Sequence, residues 1–479
     1  MDKGELRSHA PLLDAYLSYL ESPRHPFTIP GHKQRASLLD SDLGSVVDHD
    51  VPLFGGLDEI KLTHGTLKKA EALAAKLWGA DWVRFSTGGS THANQALIFA
   101  LGQPGDKVAI SRTAHRSVLT ALVLAGLEPI WLTPEIDQRT GVPTGIPLKE
   151  LERVLPDKPI ALLLTEPGYL GTISDLPALI ALAHKHDIPV VIDAAWGGHF
   201  GFHPSFPKSA MQLGADAFVT SIHKALPGYS ATAIAVARLN LLAEARLEQG
   251  FESTHTTSPA GAPLASIDAV RALLQFKGEE LLDTLLKNVE MFRKRISEDF
   301  GSEILLQISD FAPLRFDPSK LVLRANVLGA DGVAIERELI DAEVRVEMAD
   351  RDTVVFIATI ADSSETLDAL YRILKPILTR NRGKTRASGT ALSWSVTPRV
   401  GISMRDAYFA ESEMIASKSA IGRISADLVA PYPPGVAVLA PGEIITEEIV
   451  DGLEVAKNQG VRIAYATDAS LQSFRVCKV

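Results

Sequence analysis

The chain predicts an α/β fold, a mainly parallel sheet covered by helices on both faces, and three observations carry the prediction. Apolar runs of strand length recur without the alternation of a one-sided sheet, as in Val190-Val-Ile192 and Ala217-Phe-Val219. Amphipathic segments with helical spacing separate them, as in Thr66–Trp78, where Leu67, Ala70, Leu73, Ala74 and Leu77 fall on one side. Polar or glycine-bearing residues follow directly on the strand ends, as at Ser86-Thr-Gly-Gly89. Strands that are apolar throughout are buried on both faces, and helices supply the two covers.

In chain order, the pattern places a helix over Pro11–Glu21, ended by Pro23, and a turn at Pro30-Gly-His-Lys33. Asp48–Glu59 is polar and glycine-containing and reads as loop. After the Thr66–Trp78 helix, strands are expected from Val83, at Lys107–Ser111, Pro129–Leu132, Ile160–Thr165 and Val190–Asp193, and from Ala217. Helices at Ser117–Leu127, Leu148–Val154 and Leu176–His186 alternate with them. Two helices, Ser266–Phe276 and Glu279–Phe300, lead out of this domain. Ile304–Ile377 reads as a smaller α/β domain with strands near Leu321–Ala325, Val344–Glu347 and Val354–Ala358. Thr379–Thr390 is basic, small and polar, as an exposed linker is. The tail has helices at Met404–Ala410 and Thr446–Gln459 and turns at Tyr432-Pro-Pro-Gly435 and Pro441-Gly-Glu443. The expected division is an N-terminal arm (1–50), a major domain (51–300), a small α/β domain (301–378), a linker (379–395) and a C-terminal α+β domain (396–479).

At 479 residues, with 46% hydrophobic and 22% charged residues, the composition is that of a globular protein with more than one core. A net charge of -10 argues against nonspecific binding to nucleic acid or anionic membranes. Cys477 is the only cysteine, which excludes an intrachain disulfide. The opening Met1-Asp-Lys-Gly-Glu-Leu-Arg7 lacks the apolar segment of a signal peptide, and no apolar run approaches the ~18 residues of a membrane span. A cytoplasmic location is expected.

The chemistry gathers around Ser221-Ile-His-Lys224 and Asp193. A lysine at the end of a buried strand is costly as a cation, and only a neutral amine attacks an aldehyde. An aspartate ending one strand and a lysine following another can point into one cleft at the carboxyl edge of a sheet. That pair suits pyridoxal 5′-phosphate (PLP), with lysine for the imine and aspartate for the pyridinium nitrogen. The same residues also read as a surface lysine past a strand and an aspartate opening a turn. Thr87-Gly-Gly-Ser-Thr91, between a strand and a helix, offers backbone N–H groups and the Ser90 and Thr91 hydroxyls to a phosphate, or is a tight turn with an ordinary N-cap.

Five motifs stand in one order at or just after the ends of predicted strands: Gly89-Ser-Thr91, Arg112-Thr-Ala-His115, Thr165-Glu-Pro-Gly-Tyr169, Asp193-Ala-Ala-Trp196 and Ser221-Ile-His-Lys224. This order resembles the ornithine/lysine/arginine decarboxylases of the aspartate-aminotransferase-like fold (PLP fold type I, with a seven-stranded sheet). The resemblance runs from about Pro30 to the C-terminus and includes Pro431-Tyr-Pro-Pro-Gly435 and Pro441-Gly-Glu443. It implies that Lys224 carries PLP, that Asp193 bonds the ring nitrogen and that His115 stacks on the ring. It implies a phosphate site of Gly89, Ser90, Thr91, Ser221 and His223, with Ala195 and Trp196 beside the cofactor. For His115 a surface loop position, and for His223 a structural hydrogen bond, are the other readings. Trp196 stands where many shorter members of the family carry histidine, and Thr87-Gly88 stands where Asn-Gly is expected. The Asp-x-Ala-Trp form resembles the longer lysine and arginine decarboxylases, whereas the expected architecture is the short form, without their N-terminal wing domain.

The implied reaction is PLP-dependent decarboxylation of a basic L-amino acid (arginine, lysine or ornithine) to CO2 and a polyamine-pathway amine, in at least a homodimer that the segment around Pro30-Gly-His-Lys33 helps to join. Asp58 and Glu59, in Gly55-Gly-Leu-Asp-Glu59, resemble a Gly-Leu-Asp-Asp-like family motif and are candidates for the substrate's distal cation. They are also acids that favour the start of the next helix. Arg399 and Arg405 read either as a carboxylate clamp or as solvent-facing. Other PLP reactions (aminotransferase, oxidase, lyase) and a catalytically silent partner subunit are the competing functions. No metal site is expected.

Overall fold

The computed structural model describes residues 3–22, 25, 27–34, 47–53, 57–58, 65–387, 398–432 and 435–478. Seven strands form the principal sheet: β1 (Trp82–Ser86), β2 (Lys107–Ser111), β3 (Glu128–Leu132), β4 (Leu162–Thr165), β5 (Val190–Asp193), β6 (Ala217–Ser221) and β7 (Ala233–Ala237). Their order is β1-β7-β6-β5-β4-β2-β3. β2 runs parallel to β3 and β4, whereas β7 is antiparallel to both β1 and β6. β4 to β7 are buried at every residue, the burial that their unbroken apolar sequences require. β7 is absent from the expected alternation because no helix separates it from β6. A tight connection through Pro227-Gly228 reverses the chain instead. There the Gly228 N–H donates to Ile222 O at 2.7 Å, and a Cβ on Gly228 would sit 2.5 Å from that oxygen.

By backbone proximity the chain divides into two compact units. The first comprises Met1–Ala100, Ile192–Pro204 and Lys208–Leu282; the second comprises Leu101–Val191, Ser205–Pro207 and Asp283–Val479. In the first unit the helix Pro11–Glu21 is pinned by a buried ion pair. Asp268 Oδ2 accepts the Leu12 N–H at 2.8 Å, and Arg271, bonded to Asp268, donates to His9 O at 2.6 Å. Asp268 and Arg271 belong to one continuous helix, Gly261–Phe300, where two helices are expected. The helix runs unbroken through Gly278, because a mid-helix glycine costs only about 1 kcal/mol.

In the second unit, a three-stranded antiparallel sheet of β8 (Lys320–Arg324), β9 (Met348–Ala349) and β10 (Thr353–Ile357) has the order β8-β10-β9. The strand expected at Val344–Glu347 begins only at Met348. The Val344 N–H is already used by Leu339 O, and Glu343 takes the left-handed φ of 59° that ends the preceding helix. The start of the expected linker is not free: the helix Ser364–Arg380 runs into it, and the Arg386 N–H donates to Asn326 O while its guanidinium meets Asp352. In the C-terminal segment, β11 (Ser412–Ala416) pairs antiparallel with β12 (Ser473–Cys477) over the helix Glu447–Asn458, whose N-cap is Thr446. Cys477 is fully buried, as a small apolar residue would be. No helix among the described residues is long and apolar enough to cross a membrane.

One ion pair anchors this segment. Arg112, directly after β2, meets Glu443 through two bonds of 2.5 and 3.0 Å, and both side chains are 1% exposed. Arg112 also donates to Val438 O at 2.8 Å and lies 4.4 Å over the Trp131 ring. Glu443 takes the Ala440 N–H at 2.7 Å. Removing one partner strands a buried charge, so Glu443→Ala should cost about 3–5 kcal/mol in urea unfolding. Arg112→Met combined with Glu443→Leu should recover most of that loss.

Candidate active site

In the first unit, β5 and β6 end side by side in the sheet order and deliver Asp193 and Ser221. Asp193 is 6% exposed. Its carboxylate accepts from Asn94 Nδ2 at 2.9 Å and from the Ala195 N–H at 3.2 Å, both neutral donors. The next turn is fixed by the Ala194 N–H on Val219 O and by the Thr220 hydroxyl on Ala194 O, each at 2.8 Å. That turn buries Trp196, and Lys224 Nζ lies 4.4 Å from the centre of its ring, in cation–π range. Lys224 and His223 are half-buried. His223 Nδ1 donates to Thr232 O at 2.9 Å, so the structural hydrogen bond is present and Nε2 is the nitrogen left over.

The glycine turn after β1 opens the helix Gly89–Leu101. Gly89 has a φ of +67°, a conformation in which a side chain would be strained. Ser90 Oγ and Ser221 Oγ are 2.7 Å apart, so the first helical turn and the end of β6 present paired hydroxyls. Thr91 is exposed at the same helix start. A lysine amine, a buried carboxylate with neutral partners, and a hydroxyl-lined helix N-terminus are the parts that a phosphorylated pyridinium aldehyde requires. The residues present therefore fit PLP. Asn94, which orients Asp193, is missed by sequence reasoning; its position just inside the helix after the glycine turn is the signal that was available.

His115 lies in the second unit, at the N-cap of the helix Arg116–Ala125. Its Nδ1 accepts the Ser117 N–H at 3.2 Å, which places the proton of the neutral ring on Nε2. The loops after β2 and β4 flank the point where strand order reverses, a common place for ligands in such sheets. A cavity of about 20 Å³ lies there, lined by residues that include Thr113, Thr165, Glu166 and Tyr169. A larger groove of about 600 Å³ is lined by Lys107, Glu128, Arg153 and Val400–Met404 among others, and by none of the predicted site residues. Arg405 caps the helix Arg116–Ala125 by donating to Val123 O and Leu124 O.

Asp58 accepts the Leu67 N–H at 2.6 Å and so caps the helix Thr66–Trp78. Glu59 lies outside the described residues.

Comparison with known proteins follows the same outline. Residues 10–317 match the Orn/Lys/Arg decarboxylase major domain, and residues 393–462 match the C-terminal domain of the same family. An arginine decarboxylase of Bacillus subtilis is 34% identical over 94% of this chain and 94% of its own length. One from Halalkalibacterium halodurans is 31% identical over 98% of each. The chain belongs to the Orn/Lys/Arg decarboxylase family. It is accordingly an amino-acid decarboxylase. Among solved structures, lysine decarboxylase A from Pseudomonas aeruginosa superposes with a TM-score of 0.84 at 18% identity, covering 99% of this chain and 81% of that one. That likeness establishes the fold that this decarboxylase family shares.

Two measurements test the local readings. Asp58→Ala should lower the unfolding free energy by about 1 kcal/mol, the worth of a helix cap. A tenfold rise in substrate KM without loss of stability would instead put Asp58 on the substrate. Glu166, the second residue of the Thr165-Glu-Pro-Gly-Tyr169 motif, is bonded to the Ser174 N–H and hydroxyl, and burial pushes its carboxyl up to about 7. With the folded value above the unfolded one, its contribution to stability is complete below about pH 4.5 and is lost as pH rises through 7. Between pH 5 and 8 wild type should therefore lose stability relative to Glu166→Gln, on the order of 3 kcal/mol, in unfolding curves taken at each pH.

Proposed function

We propose that this chain removes the α-carboxylate of a basic L-amino acid as CO2, with arginine the foremost substrate and PLP the cofactor, bound in the major domain (51–300). The observation that carries the reading is the convergence, within one unit, of the Lys224 amine, the buried Asp193 carboxylate and the Ser90–Ser221 hydroxyl pair. When bound, PLP supplies the electron sink for the carbanion left by the departing CO2.

The protein's own groups have separable tasks. Asp193 holds a proton at the ring nitrogen. Its bonds from Asn94 and Ala195 orient the carboxylate without neutralising it. Ser90, Thr91 and Ser221 take the phosphate at a helix N-terminus, where hydroxyl donors and the helix dipole favour an anion. Lys224 presents its amine from the loop after β6, with the Trp196 face limiting where Nζ can go. The family resemblance adds His115 on the ring face, its orientation set through Nδ1 by Ser117. Arginine is favoured because relatives at 31–34% identity, matched over nearly their whole length, carry the name arginine decarboxylase. At least a homodimer in the cytoplasm is part of the same proposal.

A panel of arginine, lysine and ornithine, with product amines identified by mass spectrometry and CO2 counted, should give the highest kcat/KM for arginine. Release of keto acid or ammonia in place of CO2 would overturn the reaction assigned. Lys224→Ala should stay folded and lose at least about a thousandfold in turnover, because the attacking amine is gone. Asp193→Asn should keep some cofactor and lose turnover by about a hundredfold or more, since an amide cannot hold the ring proton. Sedimentation of the active enzyme as a monomer would exclude the dimer.

A further inference from the structure

The turn after β1 is held from beneath by a chain of hydrogen bonds that the reaction itself does not use. His92, on the first turn of the helix Gly89–Leu101, is 5% exposed. Its Nε2 lies 3.2 Å from Phe251 O. A carbonyl oxygen can only accept, so Nε2 carries the proton and Nδ1 is the acceptor. Ser86 Oγ, 2.7 Å from Nδ1, must then donate its single proton to it rather than to Gly89 O, which is farther away at 3.2 Å. With that proton spent, Ser86 Oγ accepts the Gly88 N–H at 3.1 Å. The bonds therefore run in one direction, from the Gly88 amide through Ser86 and His92 to the backbone of the helix Glu244–Thr254.

Packing holds the same arrangement. A Cβ on Gly88 would stand 2.7 Å from His92 Cβ, so the glycine lies directly against the imidazole's stem. The His255 ring sits 4.6 Å from that of His92, and Phe251 meets the His92 ring edge-on at 4.7 Å. Burial, and secondarily the His255 ring, push the His92 imidazole down to about 4, so it remains the neutral tautomer that the chain needs. On the other side of the turn, the Gly89 N–H is committed to Ala231 O at 2.7 Å. The Gly88 and Gly89 amides are thus both turned inward, and the donors at the mouth of the turn are the Ser90 and Thr91 amides and hydroxyls.

We infer that His92 and Ser86 are positioning residues for the phosphate of the cofactor: by taking up the Gly88 amide they fix the turn so that Ser90 and Thr91 face the phosphate. The inference rests on PLP being the cofactor. It predicts a defect specific to the phosphate, which a general loosening of the fold would not produce.

The test is equilibrium binding of PLP, and separately of pyridoxal, which lacks the phosphate, to the full-length chain freed of cofactor. Wild type should bind PLP far more tightly than pyridoxal. His92→Phe keeps a flat ring but removes the acceptor, and should weaken PLP by about 10-fold or more while leaving pyridoxal within twofold. Ser86→Ala, which deletes one hydroxyl of the same chain, should show the same selective loss and serves if His92→Phe does not fold. Equal weakening of both ligands, or none, would overturn the positioning role while leaving PLP as the cofactor. A wild type that binds neither ligand would remove the cofactor assignment and this inference with it.

Discussion

A guanidinium and a carboxylate shut away from water, Arg112 and Glu443, set the terms for much of the second unit. Desolvating both is expensive, and their mutual attraction offsets that cost only when every remaining donor and acceptor finds a partner. Here the surroundings do most of that work. Val438 O accepts from Arg112, the Ala440 N–H donates to Glu443, and the Trp131 ring covers the face of the guanidinium, whose Nε–H is left without a partner. The arrangement leaves little freedom: moving the Pro441-Gly-Glu443 turn would unpair Arg112, and moving Arg112 would shift the residues that lead to His115. A segment near the C-terminus thereby helps to shape the turn that begins a helix early in the chain.

The candidate site follows a related rule, in which hydrogen bonds inside the protein are completed so that a few groups are left pointing outward. Asp193 is oriented by neutral N–H groups, so its charge is not already cancelled. His223 spends Nδ1 on Thr232 O, and His115 spends Nδ1 on the Ser117 amide, which fixes both rings through one nitrogen each. Groups held this way need no reorganisation when a charged ligand arrives, which is where electrostatic preorganisation gains its effect. Arg405, which the sequence leaves open as a carboxylate clamp, is instead spent on the end of a helix.

Periodicity and apolar runs located most of the strands and helices, because burial on both faces leaves an unmistakable sequence. The same signal fails where geometry depends on what is distant. β7 is as apolar as its neighbours, yet only its antiparallel pairing explains why no helix precedes it. Two helices are expected, one on either side of Gly278, yet one helix, Gly261–Phe300, runs through it. In the site, Lys224, Asp193, Ser90 and Ser221 could be picked out from motif order. The support of Asp193 could not, since Asn94 reaches it across 99 residues. The same holds in the second unit, where Arg112 reaches Glu443 across 331. Asp58 shows the converse, an acid whose motif suggests a ligand and whose nearest donor is the backbone of the next helix.

The placement of β1 bears on how the chain is made. β1 is an edge strand, and its one neighbour in the sheet is β7, the last of the seven to be synthesised. β2 and β3 can pair as soon as both have left the ribosome, but β1 must wait for its strand partner until Ala233–Ala237 emerges. An apolar strand with a bare edge is a template for pairing with other chains. The first strand made is thus among the last to be paired, and its edge stays open to other chains while the intervening residues are being translated.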